Sequence, residues 1–350
     1  MIRRKVLAGA GAAFLAGACS PKPPEKGVPA DAPDGPPGGR PNPSALFAHL
    51  DGKVPQRPDI GWAVKTFSHG GTAGQNPTRS YIMQSVFKLW LAAGWLDRVD
   101  RGEATLEDKI RITRADLGYY HEPIAKKVGA DGYDATLLEL IRFIVIESDN
   151  PAAEVLLTRY GGGPRLTAWL KSKGVEGIRI DRGERAIHAA AAEIDAATGE
   201  RQNQLVDRFV GGTLEGSTLD SATPGGTVDA LHLLHKGELL SPASTKLLLG
   251  IMGGTVTGEK RVKAGLEPGW TWAHKTGTGG RANGQTRTLG VADIGLLTAP
   301  DGAVYALAIF VAGAAEPMAV QEGWFAEIAR GVIAQWKQDS GKQDKAKAAR

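Results

Sequence analysis

The 350-residue chain holds a single cysteine, Cys19, so no disulfide can form within it and a disulfide-stapled fold is excluded. It also has little net charge where a partner would read it. The formal charge is +4, but the last fourteen residues, KQDSGKQDKAKAAR, carry five Lys/Arg against two Asp, a net of +3. The body is nearly neutral, which excludes nucleic acid as the main partner, because that binding needs a basic face. No internal repeat is visible, and there is no apolar run of membrane-spanning length. The run VLAGAGAAFLAGA after MIRRKV is too short to span a bilayer and reads as a secretory signal. What is there, 42% hydrophobic and 23% charged residues, is the composition of a globular protein. The length predicts two domain-sized units or one large domain.

Residues 1–19 are therefore read as a signal peptide, and Cys19 closes its apolar run. The stretch LAGACS is similar to the lipobox of bacterial lipoproteins, with Ala16 where leucine is usual. That likeness implies an exported, periplasmic protein held to the membrane by a lipid on Cys19. Residues 20–44 contain nine prolines and cannot bury enough apolar surface to fold, so they read as an extended linker. Folded sequence is expected over 45–336, with 337–350 a solvated basic tail.

Within 45–336 the pattern predicts a strand at DIGWAVKTF (59–67) and a helix over 86–101 that stops at Gly102. TLLELIRFIVIES (136–148) reads as an apolar helix, and PAAEVLLTRYGG opens another with Pro151 in its first turn. Shorter helices follow at GPRLTAWLKSKG, TVDALHLLHKG and STKLLLGIMGG. Three late strands, GWTWAHKTG, RTLGVADIGLL and AVYALAIFVAG, precede a last helix. The expected fold class is α+β, an α/β sandwich. An antiparallel sheet, built from 45–84 and 220–336, is flanked by helices, and a mainly helical part (85–219) is inserted between its two halves.

Four short stretches carry candidate chemistry. In QSVFKLW, Ser85 and Lys88 lie three residues apart and so on one side of a helix, among apolar residues where a charge is costly. ESDN places Ser148 and Asn150 in a turn between helices, where an N-cap is the simplest explanation. HKTGTGG puts Lys275, Thr276, Gly277 and Thr278 after a strand, as in a hairpin. IDRGERAIH holds Glu184 and His188 in a charged, irregular stretch. Each alone has an ordinary structural explanation.

Together, S-x-x-K, S-D-N and K-T-G in that order are the signature of active-site serine penicillin-recognising enzymes. From about Ala45 to Trp336 the chain resembles a class A serine β-lactamase. DLGYY (116–120), SATPGG (221–226) and GVADIGLL add to the likeness. The resemblance implies a β-lactamase/transpeptidase-like fold, a small-molecule β-lactam substrate, no cofactor, no metal, and a monomer. It implies Ser85 as nucleophile, Lys88 as its neighbouring base, Ser148 as proton relay and Glu184 as the base that activates water. Tyr120 would stand at the pocket mouth, Asn150 would meet the substrate amide, and Lys275, Thr276, Gly277 and Thr278 would form the carboxylate-binding strand. Whether Lys88 or Glu184 is the acylation base stays open. Arg281, Arg287 and Lys246 are the candidates for a carboxylate-binding arginine or lysine. A loop over about 180–220 would be closed by an Arg182–Asp220 pair.

Two departures stand out. Residues 197–218 look like an insertion in that loop, expected on the surface. His188 stands where the family usually has an asparagine that helps hold the hydrolytic water. The alternatives are a penicillin-binding carboxypeptidase or transpeptidase, which lacks the equivalent of Glu184, and a β-lactam sensor that deacylates slowly.

Overall fold

In the computed structural model the chain divides into Met1–Gly39 and Arg40–Arg350. The structure describes residues 44–67, 71–197, 199–211, 219–280 and 287–348. The signal peptide, Cys19 and all but the last residue of the linker lie outside the described residues.

The sheet has five antiparallel strands in the order Thr72–Gln75, Ile60–Thr66, Val304–Val311, Gly290–Thr298 and Thr271–Gly279. The strand that opens the fold thus lies between its own hairpin partner and a strand from the far end of the chain. Both faces are covered, so the strands read as nearly continuous apolar runs. Leu307, Ile309 and Val311 face one cluster with Trp62, Phe325 and Ile328, whereas Ala306, Ala308 and Phe310 face another with Val228 and Leu231.

Ten α-helices surround the sheet among the described residues: α1 (Ser44–Leu50), α2 (Phe87–Asp100), α3 (Leu137–Arg142), α4 (Asn150–Tyr160), α5 (Gly163–Ser172), α6 (Glu184–Ala196), α7 (Gly199–Gly211), α8 (Pro224–His235), α9 (Pro242–Gly253) and α10 (Met318–Ala348). Helices α1 and α10 cover one face through Leu46, Leu50, Phe325, Ile328 and Val332. Burying such side chains is worth about 1.5–3 kcal/mol each. Helix α8 lies on the other face, where the helical region between residues 85 and 219 also packs.

Three expectations are corrected. Glu184 does not sit in an irregular stretch: it begins α6. The inserted segment is not simply a surface loop, because Gly199–Gly211 forms α7, whose Val206 is buried and whose Gln202 donates to the carbonyl of Ile194 in α6. The last helix does not stop at residue 336, since α10 continues to Ala348.

Candidate active site

Helix α2 is buried on every side from Phe87 to Asp97, the mark of a central helix. Ser85 precedes it on a 3₁₀ turn, Gln84–Val86. The N-cap position is Val86, with no side-chain cap, so the Ser85 hydroxyl is not spent on the helix end. Lys88, in the first turn, is wholly buried, and its ammonium must find partners inside the protein. Its Nζ donates to Ser85 Oγ at 3.1 Å, to the carbonyl of Ser148 at 2.8 Å and to Asn150 Oδ1 at a very short distance. Three N–H groups are thereby used. Glu184 Oε1 lies 2.8 Å from the same nitrogen, yet it accepts no well-directed hydrogen bond among the described residues. The carboxylate feels the ammonium as charge and keeps a lone pair free.

The ESDN stretch divides its work. Helix α3 runs into a π-turn, Phe143–Glu147, that ends on Ser148 in the left-handed region (φ 62°). π-turns and such backbone outliers recur at functional sites. Asp149 caps α4, accepting from the N–H of Ala152 at 2.8 Å and that of Ile124 at 2.7 Å. The N-cap explanation therefore holds for Asp149, while its neighbours Ser148 and Asn150 point toward Lys88 and Lys275.

Lys275 is fully buried and donates to Ser148 Oγ at 2.9 Å and to the carbonyl of Thr276 at 2.8 Å. Burial holds its pKa well below the ordinary lysine value, and Lys88 adds to this while Glu184 and Asp293 oppose it. Gly277 does not line the pocket. A Cβ there would come within 2.4 Å of the Met83 carbonyl, so its part is to let the strand close against the Ser85 turn. Thr276 and Thr278 do line the pocket, with Thr276 Oγ1 2.6 Å from Thr257 Oγ1.

Arg182 Nε reaches Asp220 Oδ2 at 2.5 Å, and Asp220 Oδ1 accepts from the N–H groups of Asp181 and Arg182. The start of α6 is thereby tied to the strand before α8. One turn after Glu184, the Nε2 of His188 lies 3.4 Å from Glu184 Oε2 and 3.2 Å from Asn150 Nδ2. Burial lowers the His188 pKa from its usual value, Lys88 lowers it further, and Glu184 opposes both. The ring stands between Tyr119 (centroid distance 5.2 Å) and the exposed Tyr120 (5.0 Å). A cavity of about 520 Å³ opens between these groups, lined by Ser85, Ser148, Asn150, Glu184, His188, Thr276 and Thr278, with an apolar side from Ile187, Ala191 and Leu289.

The arginine candidates are revised. Arg287 binds Asp207 and the carbonyl of Gly313, Lys246 lies in α9, and Arg281 is outside the described residues. The guanidinium beside the strand is that of Arg261, which sequence reasoning missed. Its Nη2 donates to Thr278 Oγ1 at 2.7 Å, and its Nη1 to the carbonyls of Gly277 and Ala292. No local motif marks it, because its partners lie 16 to 31 residues away.

A serine free of capping duty, a buried lysine at its hydroxyl and a second buried lysine on a neighbouring serine hydroxyl are the arrangement of an active-site serine hydrolase. The profile described as the beta-lactamase enzyme family matches residues 49–336, and the chain belongs to that family, as a class A serine β-lactamase. It is 30% identical over 256 residues to the extended-spectrum beta-lactamase PER-1 of Pseudomonas aeruginosa, covering 73% of this chain and 75% of the relative. To beta-lactamase VEB-1 of the same organism it is 28% identical, covering 77% and 83%. The crystal structure of TLA-3 extended-spectrum beta-lactamase superposes with a TM-score of 0.70 at 28% identity, covering 83% of this chain and 97% of that one. The expected α+β fold is borne out.

Proposed function

We propose that the enzyme opens the β-lactam amide of penicillin- and cephalosporin-type antibiotics through an acyl ester on Ser85. Ser85 Oγ attacks the lactam carbonyl while its proton leaves toward Lys88, 3.1 Å away, which acts as the neutral amine once it has passed a proton to Glu184 Oε1 at 2.8 Å. The C–O bond forms as the C–N bond breaks, and Ser148 Oγ, held by Lys275, delivers a proton to the leaving nitrogen and is resupplied from the Lys88–Glu184 pair with the one Ser85 released, which leaves Glu184 ionised again. The backbone N–H groups of Ser85 and Thr278 serve the developing oxyanion, where losing one donor typically costs about 3–4 kcal/mol. The substrate carboxylate is received by Lys275, Thr276 and Thr278, with Arg261 behind them. Asn150 meets the amide side chain, and Tyr120 borders the mouth.

Glu184 then takes a proton from water, the oxygen adds to the ester, and Ser85 regains its proton. The observation that carries this reading is the Glu184 carboxylate at the buried Lys88, with an oxygen that accepts no hydrogen bond among the described residues. A transpeptidase needs no such group. We also propose export through residues 1–19 and lipid attachment at Cys19, for which the support is the sequence alone; no helix of the described residues is long and apolar enough to cross a membrane.

The test is Glu184→Gln, followed by intact mass after mixing with a penicillin. The expected result is a stoichiometric burst and a persistent adduct on Ser85, with turnover slowed about a hundred- to ten-thousand-fold. Turnover as fast as the parent's would reject Glu184 as the hydrolytic base.

A further inference from the structure

A second buried pair lies behind the carboxylate-binding strand and has no part in the chemistry above. His274 Nδ1 is 2.7 Å from Asp293 Oδ1, and both side chains are completely buried. His274 immediately precedes Lys275, and Asp293 lies opposite Thr276 on the neighbouring strand. Neither His274 Nε2 nor Asp293 Oδ2 has a hydrogen-bond partner among the described residues. Such a pair is expensive to bury, so its retention calls for a use.

We propose that His274 and Asp293 form a positioning unit for Lys275: Asp293 supplies an anion set back from the site, and His274 fixes its carboxylate. This rests on the β-lactamase reading and deepens it. Each of the other cations here has its own carboxylate, Lys88 with Glu184 at 2.8 Å and Arg261 with Glu322 at 3.3 Å. Lys275 has only the Ser148 hydroxyl and the Thr276 carbonyl, and no carboxylate at ion-pair distance among the described residues. An anion in direct contact would compete with the substrate carboxylate for the ammonium. With no anion near, a fully buried lysine beside two other cations would give up its proton. Asp293, one strand over, meets both requirements. The charged groups acting on Lys275 are Lys88 and Arg261 on one side of the balance, Glu184 and Asp293 on the other.

In this unit the ring donates from Nδ1 to Asp293 Oδ1, 2.7 Å away, and needs no proton on Nε2, which has no acceptor among the described residues. A neutral donor holds the carboxylate ionised without cancelling its charge, which an arginine or lysine in its place would do.

The experiment is the pH profile of kcat/KM for a penicillin, from about pH 6 to 10, in the parent, Asp293→Asn, His274→Asn and His274→Leu. Removing the anion should move the alkaline limb down by about one pH unit or more, a tenfold loss per unit at fixed pH. KM should rise more than kcat falls, because the missing charge acts on carboxylate binding. His274→Asn, whose amide still donates, should keep the parent limb, and His274→Leu should follow Asp293→Asn. In a Glu184→Gln background, intact mass at about pH 6.5 should show one penicilloyl group on every variant, which establishes the fold and the nucleophile. An alkaline limb unmoved in Asp293→Asn overturns the proposal, and if that variant does not fold, an unmoved limb in His274→Leu overturns it equally. A parent that neither forms an adduct nor turns over penicillin would instead reject the proposed hydrolysis, and this inference with it.

Discussion

Acid should switch off deacylation through His188. At neutral pH the Nε2 of His188 accepts from Asn150 Nδ2, while Asn150 Oδ1 is committed to Lys88. Protonation removes that acceptor. The new N–H then has Glu184 Oε2 as its neighbour, 3.4 Å away. With an effective dielectric of about 20, opposite charges at that distance attract by on the order of 5 kcal/mol before desolvation. Every 1.36 kcal/mol or so is tenfold in rate, so even about a third of that, spent on making Glu184 a weaker base, slows ester hydrolysis more than tenfold.

The sign follows from the shift. Burial lowers the His188 pKa below 6.5, so the ring is neutral above that and the loss sets in beneath it. The folded state binds protons there less readily than the unfolded chain. The stabilising effect of the neutral ring is therefore fully present above pH 6.5 and declines as pH falls toward the folded pKa. Stopped-flow deacylation of the penicilloyl-enzyme in the parent and His188→Asn, from about pH 4.5 to 8, reads this directly. The asparagine variant should keep its neutral-pH rate or exceed it, and its acid limb should lie lower. Its melting temperature should also lose less between pH 7 and 5 than the parent's. Coincident acid limbs would refute the assignment, because the titrating group would then lie elsewhere.

Other outcomes are open to quicker checks. Ser85→Ala should form no penicilloyl adduct by intact mass, since among the described residues no other serine hydroxyl meets a lysine that is itself paired with a carboxylate. Asp149→Ala removes the α4 cap and strands the buried N–H of Ile124, so urea unfolding should show a loss of about 2–4 kcal/mol with little change in the pH profile. Arg261→Lys cannot serve Thr278 and two strand carbonyls at once, and KM for a penicillin should rise about tenfold or more. Cell fractionation should find the wild type with membranes and Cys19→Ala released into the soluble exported fraction.

What could be read in advance was what is local. Ser85 and Lys88 share one turn, Asp149 and Asn150 open one helix, and Lys275, Thr276 and Thr278 share one strand, so their meeting needs no knowledge of the tertiary fold. The strands around Trp62, Ile294 and Ile309 showed themselves through apolar runs that both faces of the sheet require. The stretch read as a loop over about 180–220 was misjudged for a different reason. AIHAAAAEIDA is rich in strong helix formers, and its propensity argues for the helix that is observed; the family likeness argued for a loop and carried the expectation the wrong way. Arg261, Tyr119 against His188, and the His274–Asp293 pair were not legible at all, because each depends on register or on chain crossings that bring distant residues together. These are also the contacts that set charge rather than supply reacting atoms. The motif therefore says which bond the enzyme breaks, while the pH range and the grip on the substrate carboxylate are decided by residues outside it. Chains that share the three motifs would then differ in pH dependence according to what stands at positions such as 188, 261, 274 and 293, and exchanging those side chains between relatives should move the limbs of the profile without moving the nucleophile.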